Sequence, residues 1–142
     1  LGMELRFHEN FNDYLVYGID EAFLKENKEL YNLSLSRFRE LISNKPILIY
    51  QAHPFRQYIV PANPELLDGV EVYNGNPRHN SYNEKALYFA KKHGLKELSG
   101  SDFHQYEDMG RGGIVVTEPL NSSEDFVKIL SEDKVVELIK AV

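Results

Sequence analysis

The segment Gly100-Ser101-Asp102-Phe103-His104 places a carboxylate and an imidazole two residues apart, directly after small residues that favour turns. In an extended segment this spacing puts Asp102 and His104 on the same face. Carboxylate oxygens and neutral imidazole nitrogens are both ligands of first-row divalent ions. The pair alone is more typical of a solvated loop, so its interpretation depends on the rest of the chain.

Three further side chains of the same two types lie at or near the ends of predicted strands. Glu4 lies in a segment that alternates apolar and polar residues, Asp13 precedes a β-branched and aromatic run, and His53 ends an apolar run. A shared position at strand ends favours one metal site over independent surface residues. The predicted metal ligands are therefore Glu4, Asp13, His53, Asp102 and His104.

Structural interpretations of the same residues stay open. Glu4 is also typical of a charge on an edge strand, Asp13 of a turn, and His53 of a core histidine bonded to a carbonyl. His8 shares a strand face with Glu4, so either His8 or Asp13 is the ligand expected beside Glu4. We expect His79, in a polar loop, to have no role in the site.

Two arginines are candidate phosphate contacts. Arg56 follows His53 by three residues, and Arg78 lies in a predicted loop. A guanidinium matches the geometry of a phosphate with two parallel hydrogen bonds. An exposed arginine without a ligand is the alternative, and we predict Arg56 as the substrate-binding residue.

Buried strands and amphipathic helices must position these side chains. Residues 46–54 form an apolar run that ends in a polar residue and a proline, residues 68–74 repeat it at shorter length, and residues 84–93 have helical periodicity. Asn121 with Glu124 predicts a capping box at a final helix. Alternating strands and helices predict βαβ units and a parallel sheet, whose carboxyl ends are the usual ligand site.

Composition restricts the class of protein. The 142 residues are 42% hydrophobic and 27% charged, which predicts one domain over residues 1–142. A net charge of −6 disfavours a general nucleic-acid or anionic membrane surface, so we expect small partners. The absence of cysteine leaves only nitrogen and oxygen ligands. No apolar run approaches the ~20 residues of a spanning helix, and we expect a cytoplasmic protein.

Taken in order, the motifs resemble the C-terminal part of the PHP (polymerase and histidinol phosphatase) family of metal-dependent phosphoesterases. The segments that carry the resemblance are Gly2-Met3-Glu4, Asp13-Tyr14-Leu15-Val16-Tyr17-Gly18, Gln51-Ala52-His53-Pro54-Phe55-Arg56, Gly69-Val70-Glu71-Val72-Tyr73-Asn74 and Gly100-Ser101-Asp102-Phe103-His104. They extend over most of the chain. The His-x-His strand that opens the family has no counterpart here.

The resemblance implies an α/β fold: the C-terminal portion of a distorted (β/α)7 barrel of PHP type, with mostly parallel strands and flanking helices. Such a barrel needs at least ~200 residues. Because the chain has 142 residues and starts with Leu1, we expect it to be part of a longer protein.

The resemblance also implies roles for the candidate residues. Glu4 matches the metal-bridging glutamate of the family, and His53 matches a metal-binding histidine. Asp102 and His104 match the closing Asp-x-His pair. Asp13 departs from the pattern, because the family usually has a histidine at that position.

We therefore predict that the intact protein hydrolyses a phosphomonoester or phosphodiester through metal-activated water. Asp102, His104 and His53 are the predicted catalytic residues, and Arg56 holds the substrate phosphate. Roughly two or three ions are implied, and Mn²⁺, Fe²⁺ or Zn²⁺ suit imidazole ligands better than Mg²⁺.

The alternative is a non-catalytic metal- or phosphate-binding regulatory module with an incomplete metal set, which Asp13 and the absent upstream histidines favour. Because five side chains are too few to complete several ions, we expect this chain alone to be inactive. The expected partners are a small phosphorylated substrate, with nucleic-acid ends among the candidates, and a second copy of the chain that covers an open sheet edge.

Overall fold

The computed structural model describes residues 2–141 of the chain, which contain seven strands and four α-helices. The strands are β1 (Gly2–Arg6), β2 (Asp13–Tyr17), β3 (Leu48–Gln51), β4 (Gly69–Asn74), β5 (Lys96–Gly100), β6 (Gly112–Val116) and β7 (Val135–Lys140). The helices are α1 (Glu21–Glu26), α2 (Leu35–Leu41), α3 (Asn83–His93) and α4 (Ser123–Ser131). Short 3₁₀ turns lie at Leu30–Asn32, Pro64–Leu66 and Tyr106–Asp108.

The main sheet has five strands in the order β1-β2-β3-β4-β5, and β6 and β7 form a separate antiparallel ribbon. Strands β3, β4 and β5 are parallel, whereas β2 is antiparallel to both of its neighbours. The described residues therefore form a small mixed α/β unit without a closed barrel. The prediction that the chain forms the C-terminal portion of a distorted (β/α)7 barrel is therefore wrong.

The error has a physical origin. Hydrophobic periodicity reports which residues are buried, but it carries no information on strand direction. The chain passes through α1 and α2 between β2 and β3 and still returns antiparallel. After α4 the chain forms β7, which pairs with β6 and adds no strand to the main sheet.

The two faces of the main sheet pack against different layers. Tyr14 lies opposite Gln51 and Val16 lies opposite Ile49 on one face, which is buried against α1, α2 and α3. The other face carries Tyr50, which clusters with Leu98 and with Leu130 of α4. The sheet is thus covered on both sides.

Serine hydroxyls join the ribbon to β5. Ser99 Oγ donates to the carbonyl of Ile139 at 2.6 Å, and Ser101 Oγ donates to the carbonyl of Gly112 at 2.9 Å. A Cβ on Gly112 would lie 2.2 Å from the Gly100 carbonyl oxygen, so only glycine permits this approach. The ribbon therefore fixes the end of β5, where the Asp102 segment begins.

The N-terminus of α4 differs by one residue from the prediction. Ser122, rather than Asn121, is the N-cap, and its Oγ accepts from the backbone N–H of Asp125 at 3.0 Å. Asp125 in turn accepts from the backbone N–H of Asn121 at 3.0 Å. Both serine and asparagine are good caps, so sequence alone did not choose between them.

Within residues 2–141, no helix combines the length and apolar character needed to cross a membrane.

The candidate residues lie together at one end of the main sheet, where the carboxyl ends of most of its strands meet. Strands β1, β3, β4 and β5 finish at this end, whereas the antiparallel β2 begins there with Asp13 opposite Arg6. The start of β2 thus serves the same purpose as the carboxyl ends of its neighbours.

Candidate functional site

A polar cleft of about 360 Å³ opens at this end of the sheet. Its lining residues are Glu4, Arg6, Asp13, His53, Arg56, Asn76, Arg78, His79, Asp102, His104 and Gln105. The cleft thus contains all five predicted ligands and both candidate phosphate contacts. We call Glu4, Asp13 and His53 the triad corner, and Asp102 with His104 the loop corner.

The three side chains of the triad corner have the spacing of ligands to one ion. His53 Nε2 lies 3.8 Å from Glu4 Oε1 and 3.7 Å from Asp13 Oδ2. These separations exceed hydrogen-bond lengths, but they suit ligand atoms that each lie about 2.0–2.2 Å from a shared metal. Within the described part of the chain, this is the one group of three such residues whose ligand atoms all lie within 4.8 Å of one another.

The donor set of the triad corner fits a divalent ion. Carboxylate oxygens and imidazole nitrogens are both ligands of first-row divalent metals. His53 is 4% exposed, and its Nδ1 has no hydrogen-bond partner among the described residues. A ligating histidine usually donates a hydrogen bond from its second nitrogen. His53 departs from this rule, so packing alone orients its ring. The alternative of a core histidine bonded to a carbonyl does not match this Nδ1.

Arg6 competes with an ion for Asp13. Its Nε and Nη2 donate to Asp13 Oδ1 and Oδ2 at 2.7 and 2.8 Å. The hydrogen bond to Asp13 raises the pKa of Arg6. The Arg6 side chain is 55% exposed, whereas that of Asp13 is 10% exposed. Each carboxylate oxygen retains a second lone pair, so Asp13 can still face a cation.

Glu71, on β4, holds the backbone of His53 at the triad corner. Its buried carboxylate accepts from the backbone N–H of His53 at 2.9 Å and from Asn74 Nδ2 at 3.0 Å. Burial raises the pKa of Glu71. A Cβ on Gly100 would lie 2.5 Å from Glu71 Oε1, which explains the glycine there. Sequence reasoning gave Glu71 no role, although an acid within an otherwise apolar strand was a usable signal.

The loop corner lies on a turn rather than on an extended strand, contrary to the prediction for this spacing. Asp102 has a left-handed backbone with φ 49°. His104 Nδ1 lies 3.3 Å from Asp102 Oδ1 and 2.9 Å from the Asp102 carbonyl oxygen, and its side chain is 65% exposed. The two residues therefore contact each other instead of projecting side by side from a strand.

Arg56 is paired with an acid. Its Nη2 donates to Asp102 Oδ2 at 2.7 Å, to Asn74 Oδ1 at 2.9 Å and to Ser81 Oγ at 3.1 Å. Burial by itself would raise the pKa of Asp102, but the hydrogen bond and charge of Arg56 hold it below its usual range. The predicted phosphate contact is thus held in the cleft by three acceptors.

Arg78 is also paired, with an acid that sequence reasoning missed. Its Nη1 and Nη2 donate to Asp108 Oδ1 and Oδ2 at 2.8 and 2.6 Å. Asp108 Oδ2 accepts two more hydrogen bonds, from the backbone N–H groups of His104 and Gln105 at 2.8 Å each. The Arg78 hydrogen bond lowers the pKa of Asp108. Asp108 therefore holds the loop that carries His104, and no feature of its polar sequence neighbourhood indicated this.

The remaining histidines occupy different environments. His8 is exposed, and its ring centroid lies 4.9 Å from that of Tyr31, outside the cleft lining. Asp13, not His8, is the residue beside Glu4 and His53. His79, for which we expected no role, lies in the cleft lining.

The sequence comparison supports the resemblance in one part of the chain. Residues 80–135 match the sequence profile of a family described as PHP-associated. This match confirms the PHP resemblance for residues 80–135. The matched residues include Asp102, His104 and Asp108 but not the triad corner. No curated protein sequence matches the chain.

The structural comparison shows the fold. The crystal structure of PsfC from Pseudomonas syringae PB-5123 superposes with a TM-score of 0.70 at 16% sequence identity. The match covers 89% of this chain and 54% of PsfC. The chain therefore shares its architecture with about half of a longer protein.

Proposed function

We propose that the cleft binds a divalent transition-metal ion at the triad corner and that the intact protein uses it to hydrolyse a phosphate ester. The spacing of 3.7 and 3.8 Å from His53 Nε2 to two carboxylates carries this proposal. When bound, such an ion supplies Lewis acidity and lowers the pKa of a water molecule toward neutrality. Mn²⁺, Fe²⁺ or Zn²⁺ suit the donor set better than Mg²⁺.

The other residues of the cleft have distinct tasks in this proposal. Arg56 holds the phosphate of the substrate, because its guanidinium faces the cleft and is fixed by Asn74 and Ser81. His104 keeps Nδ1 against Asp102, which leaves Nε2 for a second ion. The cleft volume of about 360 Å³ suits a small phosphorylated molecule.

A non-catalytic metal- or phosphate-binding module is the second candidate, and a specific observation favours it. Asp13 and Asp102 are each paired with an arginine at 2.7 Å. In this alternative the cleft binds ions without turnover, because too few acids remain to place and activate water.

Mn²⁺ binding and phosphatase activity, measured on the protein as its gene encodes it, distinguish the two. Bound Mn²⁺ is measured by electron paramagnetic resonance, and hydrolysis with p-nitrophenyl phosphate and bis(p-nitrophenyl) phosphate. His53→Gln tests the triad, and His93→Gln is the matched control, because His93 is exposed at the end of α3.

Mn²⁺-dependent hydrolysis that is lost in His53→Gln and kept in His93→Gln supports the enzyme. Mn²⁺ binding that depends on His53 without turnover of either substrate supports the module. Equal Mn²⁺ affinity of the wild type and His53→Gln contradicts both.

A further inference from the structure

Two arginine–aspartate pairs line the same cleft, and each joins a candidate metal ligand to a guanidinium whose geometry suits a phosphate. Arg6 is paired with Asp13, and Arg56 is paired with Asp102, each at 2.7 Å. We propose that the pairs make the cleft bind a divalent cation and a phosphate anion cooperatively, since each ion releases the group that the other requires. This inference rests on the proposed metal and phosphate binding, but not on hydrolysis.

The cleft lining combines charges of both signs. Asp13 and Asp102 are paired with Arg6 and Arg56, Arg78 is paired with Asp108, and Glu4 adds a further carboxylate. A cation that enters alone is attracted by the acids but repelled by the arginines, and an anion that enters alone meets the opposite combination. A cation and an anion together satisfy both sets of charges, so joint binding is favoured over either binding event alone.

Arg6 is the member that can move. Its side chain is 55% exposed, so rotation into the cleft or into water exposes little buried surface. While Arg6 donates to both oxygens of Asp13, its positive charge opposes a cation at the triad corner. A phosphate that attracts Arg6 therefore strengthens the attraction of Asp13 for the cation.

Arg56 is the fixed member. Its side chain is 16% exposed and is held by Asn74 and Ser81 as well as by Asp102. A phosphate must come to this guanidinium, and it then replaces Asp102 as the anionic partner. Because a change at Arg56 would also disturb these neutral contacts, Arg6 is the residue on which the coupling is tested.

The experiment titrates Mn²⁺ into the full chain with and without inorganic phosphate and measures free Mn²⁺ by electron paramagnetic resonance. Phosphate should tighten Mn²⁺ binding to the wild type, and Mn²⁺ should tighten phosphate binding by the same factor. Arg6→Gln should tighten Mn²⁺ binding in the absence of phosphate by roughly tenfold and should reduce the phosphate effect. Arg6→Lys, which keeps the charge, should lie between the wild type and Arg6→Gln.

Arg37→Gln is the matched control. Arg37 is exposed on α2, where it is paired with Glu40 at 2.7 Å, so the substitution makes the same change in net charge away from the cleft. It should alter neither the Mn²⁺ affinity nor its response to phosphate. Circular dichroism of each variant verifies the fold.

Three results would overturn the inference. Unchanged Mn²⁺ affinity of Arg6→Gln without phosphate would show that any coupling comes from direct contact between the two ions. If phosphate does not change the Mn²⁺ affinity of the wild type, the two ions do not bind cooperatively. If neither the wild type nor Arg6→Gln binds Mn²⁺, the proposed metal site is overturned as well. Coupled binding of Mn²⁺ and phosphate without hydrolysis overturns only the proposed enzyme activity.

Discussion

The triad corner and the loop corner contain the same types of residue but are built differently. At the triad corner, Glu4 lies on β1, Asp13 begins β2 and His53 follows β3, so three adjacent strands supply one side chain each. At the loop corner, Asp102 and His104 come from one turn after β5. The first arrangement is fixed by the hydrogen bonds of a sheet. The second is held by side chains, among them Arg56 on Asp102 and the buried carboxylate of Asp108 on the backbone of His104.

The difference shows that a compact motif and a compact site are separate properties. Asp102 and His104 are the most conspicuous pair in the sequence, yet they are paired with Arg56 and with each other. The residues whose ligand atoms cluster within 4.8 Å are distant in the sequence. Strand pairing brings distant residues together at fixed spacing, whereas a short turn offers few constraints on a side chain.

The largest expected effect concerns metal affinity and tests this comparison directly. His53→Gln should weaken Mn²⁺ binding by at least about 100-fold, because it removes a ligand atom from the group of three. His104→Gln should weaken the tightest Mn²⁺ site by less than about threefold, because the exposed His104 ring lies outside that group. Calorimetric titration with Mn²⁺ measures both, and equal losses would contradict the distinction between the corners.

A smaller effect is expected on thermal stability, with the opposite ranking of the two corners. Asp108→Asn should lower Tm by roughly 5–10 °C, because it leaves the charge of Arg78 without its partner and weakens two backbone contacts. Asp13→Asn should lower Tm by less than about 3 °C, because water can solvate the half-exposed Arg6. Thermal unfolding followed by circular dichroism provides the measurement. A loss in Asp108→Asn no larger than that in Asp13→Asn would contradict the role assigned to Asp108 in holding the loop corner.

A smaller effect still is expected where the two corners meet, at Gly100. Gly100→Ala should cost about 1–3 kcal/mol, because its Cβ would lie 2.5 Å from Glu71 Oε1 and displace the carboxylate that holds the His53 backbone. Gly94→Ala, whose Cβ meets no atom within 4 Å, is the matched control and should cost about 1 kcal/mol through its positive φ alone. Urea unfolding compares the two variants. Equal costs would mean that Glu71 relaxes without resistance.

The smallest expected effect is on the pH dependence of stability. The pKa values of Asp102 and Asp108 are lowered in the folded state, so their contribution is complete above the ordinary aspartate pKa of about 3.9 and is lost as the pH falls through the lowered values. The raised pKa of Glu71 has the opposite sign, and its contribution is lost as the pH rises through the raised value.

Asp108→Asn should therefore make the free energy of unfolding less dependent on pH below about pH 4. Urea unfolding at a series of acidic pH values, with the wild type in parallel, measures this slope. Identical slopes for the two proteins would exclude Asp108 as a source of acid sensitivity.

The sequence by itself determined the local properties of this protein. The apolar runs correspond to β3 and β4, and the helical periodicity of residues 84–93 corresponds to α3. These predictions succeeded because the spacing of apolar residues along the chain reports which local structure buries them. The ligand types at the strand ends were available from the sequence for the same reason.

Strand direction and partner choice were decided only by the tertiary structure. Arg56 and Asp102 are separated by 46 residues, and Arg78 and Asp108 by 30. Nothing in the sequence near either arginine indicates that an acid neutralises it. The antiparallel direction of β2, which brings Asp13 to the same end of the sheet as His53, was likewise not encoded in the hydrophobic pattern. A charge acts through space on whatever the fold places beside it, so the pairing of these groups follows from the folded chain and not from their order along it.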